Sequence, residues 1–476
     1  MDGVLTKIFC VIAAAAGLAL SVMACVSGGW LVLAAAAVLV IVGVAAAFAI
    51  GKAREPKPLA AALIVLALTL VPRVAAVLAF PVVTAPVHDF GTYFRLAGCF
   101  AGGTALIKNS AHLFPHMLWF SEALSVPFRV FGSSVAVYQV GGLVLSAVTA
   151  LLIFGAVKTL RGAKAGLFGA LIFALCPSAA LYAPLCCGEH LALALLSLVL
   201  FLLARFYKAG PKPVPVMLAR GAVLGVCLLA LELIRPVAIV PVIAVVLAWL
   251  AADAKKRPAF GRALALLLAL LVVLIGGRQL SLLGAESILE RPVARSSNSF
   301  TLLAGSNAEA SGAWNAEDSA LFYSAVESGD FRAADRQIRS VVVSRYKALG
   351  PVGTVKLMAV KSAHTWGNQS SVLDYLIMYS ARENALLSGK LLKAQAALCN
   401  GYFAALLLLF AAAAALRVKR GGTAPELVCL LGVLGFACMF LLSEAAGRYS
   451  LIALPLLAAC VPGGFFAKIS LDKRRR

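Results

Sequence analysis

Few residues in this chain can do acid–base or ion-binding chemistry, and they sit in particular places. Five carboxylates stand at the edges of long apolar runs or in the first long loop between them: Asp89, Glu122, Glu189, Glu232 and Glu444. Three arginines stand at corresponding positions, with Arg235 and Arg278 near the ends of apolar runs and Arg448 at the start of one. Ionisable groups beside apolar runs are costly to keep, so each is a functional candidate. Carboxylates collected with guanidiniums suit the binding of an anionic head group, such as a lipid phosphate, next to a general base. The most pointed segment is Val87-His88-Asp89-Phe90-Gly91-Thr92-Tyr93.

Each of these residues also has a purely structural reading. Asp89 can cap a helix over 90–98. Glu232 and Arg235 are three apart, and Glu444 and Arg448 four apart, which are the spacings of ion pairs along one helix face. Glu189 can open a helix, where the dipole favours a carboxylate. Arg278 can snorkel toward a membrane surface. His88 beside Asp89, and the looser group His112, His116 and Glu122, have the chemistry of divalent-metal ligands, but their spacing assigns no metal site, and satisfied loop histidines explain them as well. Trp314, between Gly312 and Asn315, can stack on a sugar face from a lid or simply pack.

The elements that position these groups follow from composition. Hydrophobic residues make up 62% of the 476 and charged residues 13%. Mean hydropathy is +0.97. Soluble domains carry about twice that charged fraction, so an ordinary soluble enzyme, a disordered chain and a disulfide scaffold are all excluded. Runs long enough to cross a bilayer fall at about 5–26, 30–50, 59–80, 134–157, 165–183, 189–206, 219–234, 236–251, 262–283, 394–416, 426–443 and 448–466. The expected fold is an all-α polytopic membrane protein with about twelve spans.

The net charge of +22 belongs to this topology rather than to nucleic-acid binding. Lys52, Arg54 and Lys57 form one basic loop, and Lys158, Arg161 and Lys164 the next. Arg205, Lys208, Lys212 and Arg220 follow, then Lys255, Lys256, Arg257 and Arg262, then Arg417, Lys419 and Arg420, and the tail Lys473-Arg474-Arg475-Arg476. Every second loop is basic. The positive-inside rule puts them all in the cytoplasm if both termini are cytoplasmic. The five carboxylates and three arginines then gather at the outer face. The expected organisation is an N-terminal membrane domain over 1–283 carrying an outer loop at 81–133, an extracytoplasmic loop domain over 284–393, and C-terminal membrane helices over 394–476.

In the loop domain, Asn315 followed by Asp318 reads as a helix start. Helices are expected at about 316–327, 332–349 and 351–364, the last amphipathic, placed on the membrane surface or against the helical core. The cysteine count is odd, at eleven. Most sit in apolar runs as small hydrophobes, and Cys99, Cys186 and Cys187 could supply one bridge that spacing does not decide. Val22-Met23-Ala24-Cys25 loosely matches a lipoprotein cleavage site, and its small residues also serve helix packing.

The segment around Asp89 resembles the first outer loop of GT-C membrane glycosyltransferases, nearest to glycosyltransferase family 39 (protein O-mannosyltransferases) and the bacterial aminoarabinose-transferase type. Three further segments carry the resemblance: Tyr182-Ala183-Pro184 with Gly188-Glu189-His190; Leu233-Ile234-Arg235-Pro236; and Glu444-Ala445-Ala446-Gly447-Arg448-Tyr449 with Pro455. It covers about 59–466. Two extra helices precede the family's usual first helix, and Gly188 replaces a usual hydroxyl residue. The resemblance implies transfer of a sugar from a polyprenyl-phosphate donor to a lipid, protein or glycan acceptor at the extracytoplasmic face. Asp89 would be the general base. Arg235, Arg278 and Arg448 would hold the donor phosphate. His88, Tyr93, Glu189, His190, Trp314, Glu444 and Tyr449 would contact substrate. A divalent metal is compatible with it, and the sequence does not decide the need for one. The Ala- and Leu-rich spans favour a bacterial plasma membrane. The competing class is a transporter or flippase of lipid-linked sugars, kept in view by Arg73 inside the third span.

Overall fold

A computed structural model describes residues 4–83, 88–104, 110–253, 257–295, 298–327 and 329–466. It is 84% helical and has no strands among the described residues. An isolated antiparallel bridge, Val82 with Ser380, links the start of the first outer loop to the end of the second. This follows from the solvent the sequence is built for, since hydrocarbon offers backbone N–H and C=O groups no partner and a helix satisfies them internally. Among the described residues nine helices are long and apolar enough to cross a membrane, among them Pro58–Ala79, Val135–Arg161, Glu189–Ala209, Val214–Ile234, Gly389–Arg420 and Ala424–Leu442. The apolar helices Ala163–Ala174 and Ile239–Ala251 are shorter. The chain is an all-α, multi-pass membrane protein.

The first of the nine, Val4–Lys52, is bent back on itself. Gly29 has φ 72° and ψ −170°, a left-handed backbone that glycine adopts without a Cβ penalty. Before the bend, Gly17 lies against Phe410 and Ala411, and the Ser21 hydroxyl donates to the Ala404 carbonyl at 2.8 Å. After it, Val32 and Ala35 lie against Gly401, and Gly43 against Leu409. One arm therefore runs antiparallel to Gly389–Arg420 and the other parallel to it. The two expected spans at 5–26 and 30–50 are the arms of this hairpin. Ala24 is fully buried against Gly367, so the small residues at 22–25 do pack a helix.

One end of the bundle is tied by buried charge. Glu426 accepts from Nε and a terminal nitrogen of Arg161, both at 2.7 Å, and lies 3.5 Å from Arg417. Glu426 also closes a capping box with Thr423 at the start of Ala424–Leu442. These residues come from the basic loops that sequence places in the cytoplasm. Lys255, Lys256 and the tail Lys473–Arg476 lie outside the described residues.

The segment between the membrane helices is itself helical. It comprises Asn298–Gly305, Ala316–Val326, Phe331–Gly367 and Ser371–Met378. The Asn315 side chain accepts from the Asp318 N–H at 2.8 Å, as its spacing suggested. Phe331–Gly367 breaks at Gly350, φ 61°, immediately before Pro351, which reproduces the two helices expected there. Leu303, Phe322 and Ile338 form a small apolar core with Leu113 of the first outer loop. In the helix after Gly350, Leu357, Lys361 and Trp366 are buried. The Lys361 ammonium is fully buried and donates at 2.7 Å to the carbonyls of Gly305 and Leu441. It thus pins this segment to the end of Ala424–Leu442. All eleven cysteines are free. Cys186 and Cys187 are buried in the main core, so no bridge joins them to Cys99.

Candidate catalytic cavity

A cavity of about 470 Å³ is lined by residues of His88–Gly102 and Pro115–Phe131, by helix ends beside them, and by residues of Asn298–Gly305 and Ala316–Val326. Asp89, Glu189, Arg235, Glu444 and Arg448 all line it. Asp89 stands in the first turn of His88–Gly102, and Tyr93 lies one turn further on the same face. Glu189 opens Glu189–Ala209. Arg235 ends Val214–Ile234 with an extended backbone, φ −142° and ψ 119°. Arg448 lies in the short helix Gly447–Ser450, after a non-helical Ala446.

The ion pairs are not those that local spacing suggested. Arg235 pairs with Glu189 across two helices, not with Glu232. Arg448 donates to Asp89 Oδ2 at 2.9 Å, not to Glu444. The reason is that the three- and four-residue rules hold on a continuous helix, and the chain leaves the helix at Arg235 and again between Ser443 and Ala446. Glu444 instead accepts from the Tyr449 hydroxyl at 2.9 Å. Glu232 accepts from the Ala238 N–H at 3.0 Å and lies 3.7 Å from Arg278. The Arg448 guanidinium also sits 5.5–5.9 Å from the rings of Phe90, Tyr375 and Tyr449, where ring quadrupoles favour a cation.

Burial pushes the Asp89 carboxyl up, but the charge and hydrogen bond of Arg448 outweigh it, helped by Arg235, so its pKa lies below the usual carboxylate range. Burial dominates at Glu444 and raises its pKa against the pull of Arg448 and the Tyr449 hydroxyl. Burial next to Arg235 and Arg448 lowers His116 to about 4, so its imidazole is neutral at physiological pH.

Several expected residues meet here and others do not. Asp89, Tyr93, Glu189, Arg235, Trp314, Glu444, Arg448 and Tyr449 share the cavity, with Trp314 at its rim and 60% exposed. His88 heads the Asp89 helix, and its side chain lies outside the described residues. His190 does not reach the cavity: it is buried, with one ring nitrogen on Ser146 Oγ at 3.3 Å and the other on the Tyr182 carbonyl at 3.2 Å. One residue along a helix turns the side chain by about 100°, so Glu189 faces the cavity and His190 the core. Arg278 is not part of the lining either. It pairs with Glu232 and donates to the Arg295 carbonyl at 2.7 Å, so the phosphate-binding role assigned to it by resemblance is withdrawn. Glu122 pairs with Arg129 at 3.0 Å. Among the described residues no group of three or more His, Cys, Asp or Glu side chains could hold a metal ion.

His116 is the cavity residue that sequence reasoning undervalued, having considered it only as a metal ligand or a satisfied loop histidine. Pro115 marks a helix start, which would have placed His116 in a first turn beside the outer-face charges. Arg73, buried in Pro58–Ala79, is bound by the carbonyls of Thr69, Ala174 and Phe173 at 2.9, 3.0 and 3.4 Å. Apolar side chains also line the cavity, among them Val237, Ile239, Met439, Leu451 and Ile452. The sequence matches no protein-family model, and no curated protein matches it.

Proposed function

We propose that this chain is an integral membrane glycosyltransferase of GT-C-like architecture, moving a sugar from a polyprenyl-phosphate donor to a lipid, protein or cell-envelope glycan acceptor at the extracytoplasmic face. One observation carries the reading: a carboxylate and two guanidiniums, Asp89, Arg235 and Arg448, share a cavity whose lining is otherwise largely apolar. That combination fits a reactant with a phosphate at one end and an isoprenoid chain at the other. This reading keeps the twelve spans expected from sequence by taking the Gly29 hairpin as two crossings and each shorter apolar helix as one. With the basic loops inside, both termini are cytoplasmic and the cavity faces out, in a bacterial plasma membrane.

The chemistry follows from the residues. The acceptor hydroxyl gives its proton to the Asp89 carboxylate. The acceptor oxygen attacks the anomeric carbon opposite the phosphate. The carbon–oxygen bond to phosphate breaks, and polyprenyl phosphate leaves with the electron pair, inverting the anomeric centre. Arg235 and Arg448 neutralise the charge that grows on the leaving phosphate. Arg448 is shared: a bound phosphate draws it from Asp89, and the carboxylate becomes more basic when the donor is in place. A transporter or flippase lacks comparable support, because both terminal nitrogens of Arg73 are held by backbone carbonyls and Arg73 does not line the cavity.

The test is transfer by the purified protein in nanodiscs, using a panel of radiolabelled polyprenyl-phosphate sugars and membrane extract as acceptor. Label moving onto an acceptor supports the reading. No transfer across the panel, with lipid-linked sugar crossing the bilayer of protein-containing vesicles, overturns it in favour of transport.

A further inference from the structure

His116 lines the cavity but takes part in none of the steps above. It is partly exposed, yet its Nδ1 is buried with no hydrogen-bond partner. That leaves Nε2 as the nitrogen facing the cavity. Leaving a buried polar atom without a partner is costly, so a histidine here is poorly explained by packing, where phenylalanine would do. Pro115 and His116 form the first turn of Pro115–Phe131, whose partial positive charge disfavours an imidazolium. Arg235 and Arg448 act on the ring in the same direction. A cation would suit a phosphate, and this ring is held neutral instead. A neutral imidazole nitrogen is either donor or acceptor according to tautomer. A hydroxyl group is both, so it satisfies either tautomer, whereas an anion or an ammonium satisfies one.

Resting on the glycosyl-transfer reading, we infer that His116 is a specificity-determining residue that reads a hydroxyl of the sugar being transferred. The sugar is the part of the donor joined directly to the phosphate. A residue in the field of Asp89, Arg235 and Arg448 is therefore placed for the sugar, not for the distant isoprenoid tail. His116 then discriminates glycosylated carrier from bare carrier, while the two arginines hold the phosphate common to both.

The experiment measures binding to the full-length protein in detergent, by isothermal titration. The probes are farnesyl phosphate and its mannosyl, galactosyl, N-acetylglucosaminyl and arabinosyl esters. Wild type is expected to prefer at least one ester over bare farnesyl phosphate. His116→Phe should shrink that preference about ten-fold and leave the affinity for bare farnesyl phosphate within about two-fold. His116→Asn, which restores a donor and an acceptor, should recover part of it and also guards against a misfolded phenylalanine variant. An unchanged preference in His116→Phe overturns the inference alone. So does an equal loss for bare and glycosylated probes in both variants, which would make His116 a phosphate ligand or a packing residue. A wild type that binds bare farnesyl phosphate but prefers no ester overturns the sugar role. A wild type that binds no probe at all overturns the function reading together with it.

Discussion

Replacing Arg448 with methionine removes the guanidinium that holds Asp89 but keeps an unbranched apolar stem among Phe90, Tyr375 and Tyr449. Two unit charges about 4 Å apart attract by about 4 kcal/mol at an effective dielectric of about 20. The Asp89 side chain is 44% exposed, so solvent screens the pair and only part of that attraction acts on the carboxyl; losing the guanidinium raises its pKa. Wild-type Asp89 lies below the usual carboxylate value, so the stability it gains from pairing is complete above the unfolded pKa and is lost as pH falls through the lower folded one. The same shift sets the acid limb of transfer, because kcat/KM follows ionisation of the free enzyme's base. The assay is kcat/KM for sugar transfer between pH 3.5 and 8. The variant should be slower throughout, having lost a phosphate contact, so the shape of the profile carries the test rather than its height. Its acid limb should move to higher pH. An acid limb that stays where the wild type has it would refute the coupling of Arg448 to the catalytic carboxylate.

Two further perturbations test the frame that holds the site. Glu426→Gln strips the carboxylate from between Arg161 and Arg417, whose side chains are 5% and 3% exposed; stranding buried guanidiniums should cost about 3–5 kcal/mol, read as a clear drop in the thermal midpoint in detergent, and an unchanged midpoint would contradict the buried cluster. Gly447→Ala would put a Cβ at 1.8 Å from the Asn368 carbonyl oxygen, so the backbone next to Arg448 must shift; transfer should fall at least about ten-fold, whereas Gly276→Ala, which meets nothing within 4 Å, should leave it unchanged.

Much of the fold was legible because its signals are local. Apolar runs mark the membrane helices, Asn315 caps the helix it precedes, and Gly350-Pro351 interrupts the helix it divides. The hairpin at Gly29 is visible in sequence as the Ser27-Gly28-Gly29 interruption between two apolar runs. The site was legible by residue type, since burying a charge is expensive enough to make each one informative. Its partners were not, because they depend on where helices end. Arg235 and Glu444 were read as helical neighbours of Glu232 and Arg448, and the backbone leaves the helix beside each. His190 was grouped with Glu189 by adjacency, although adjacent helical residues face different ways. Arg278 was placed at the right level but on the wrong side, where Glu232 holds it. His116 needed the tertiary arrangement of Arg235 and Arg448 before its neutrality and its place in the cavity had meaning.

The central claim is that Asp89 removes the acceptor proton. The direct measurement is sugar transfer by Asp89→Asn against wild type, with donor binding measured in parallel on the same preparations. Asparagine keeps the size of the side chain and removes its basicity. The account expects the variant to bind the donor within a few-fold of wild type and to lose about 10²- to 10⁴-fold in turnover, the range that general-base catalysis supplies. Transfer by the variant at the wild-type rate would contradict it, leaving a transferase whose base lies elsewhere.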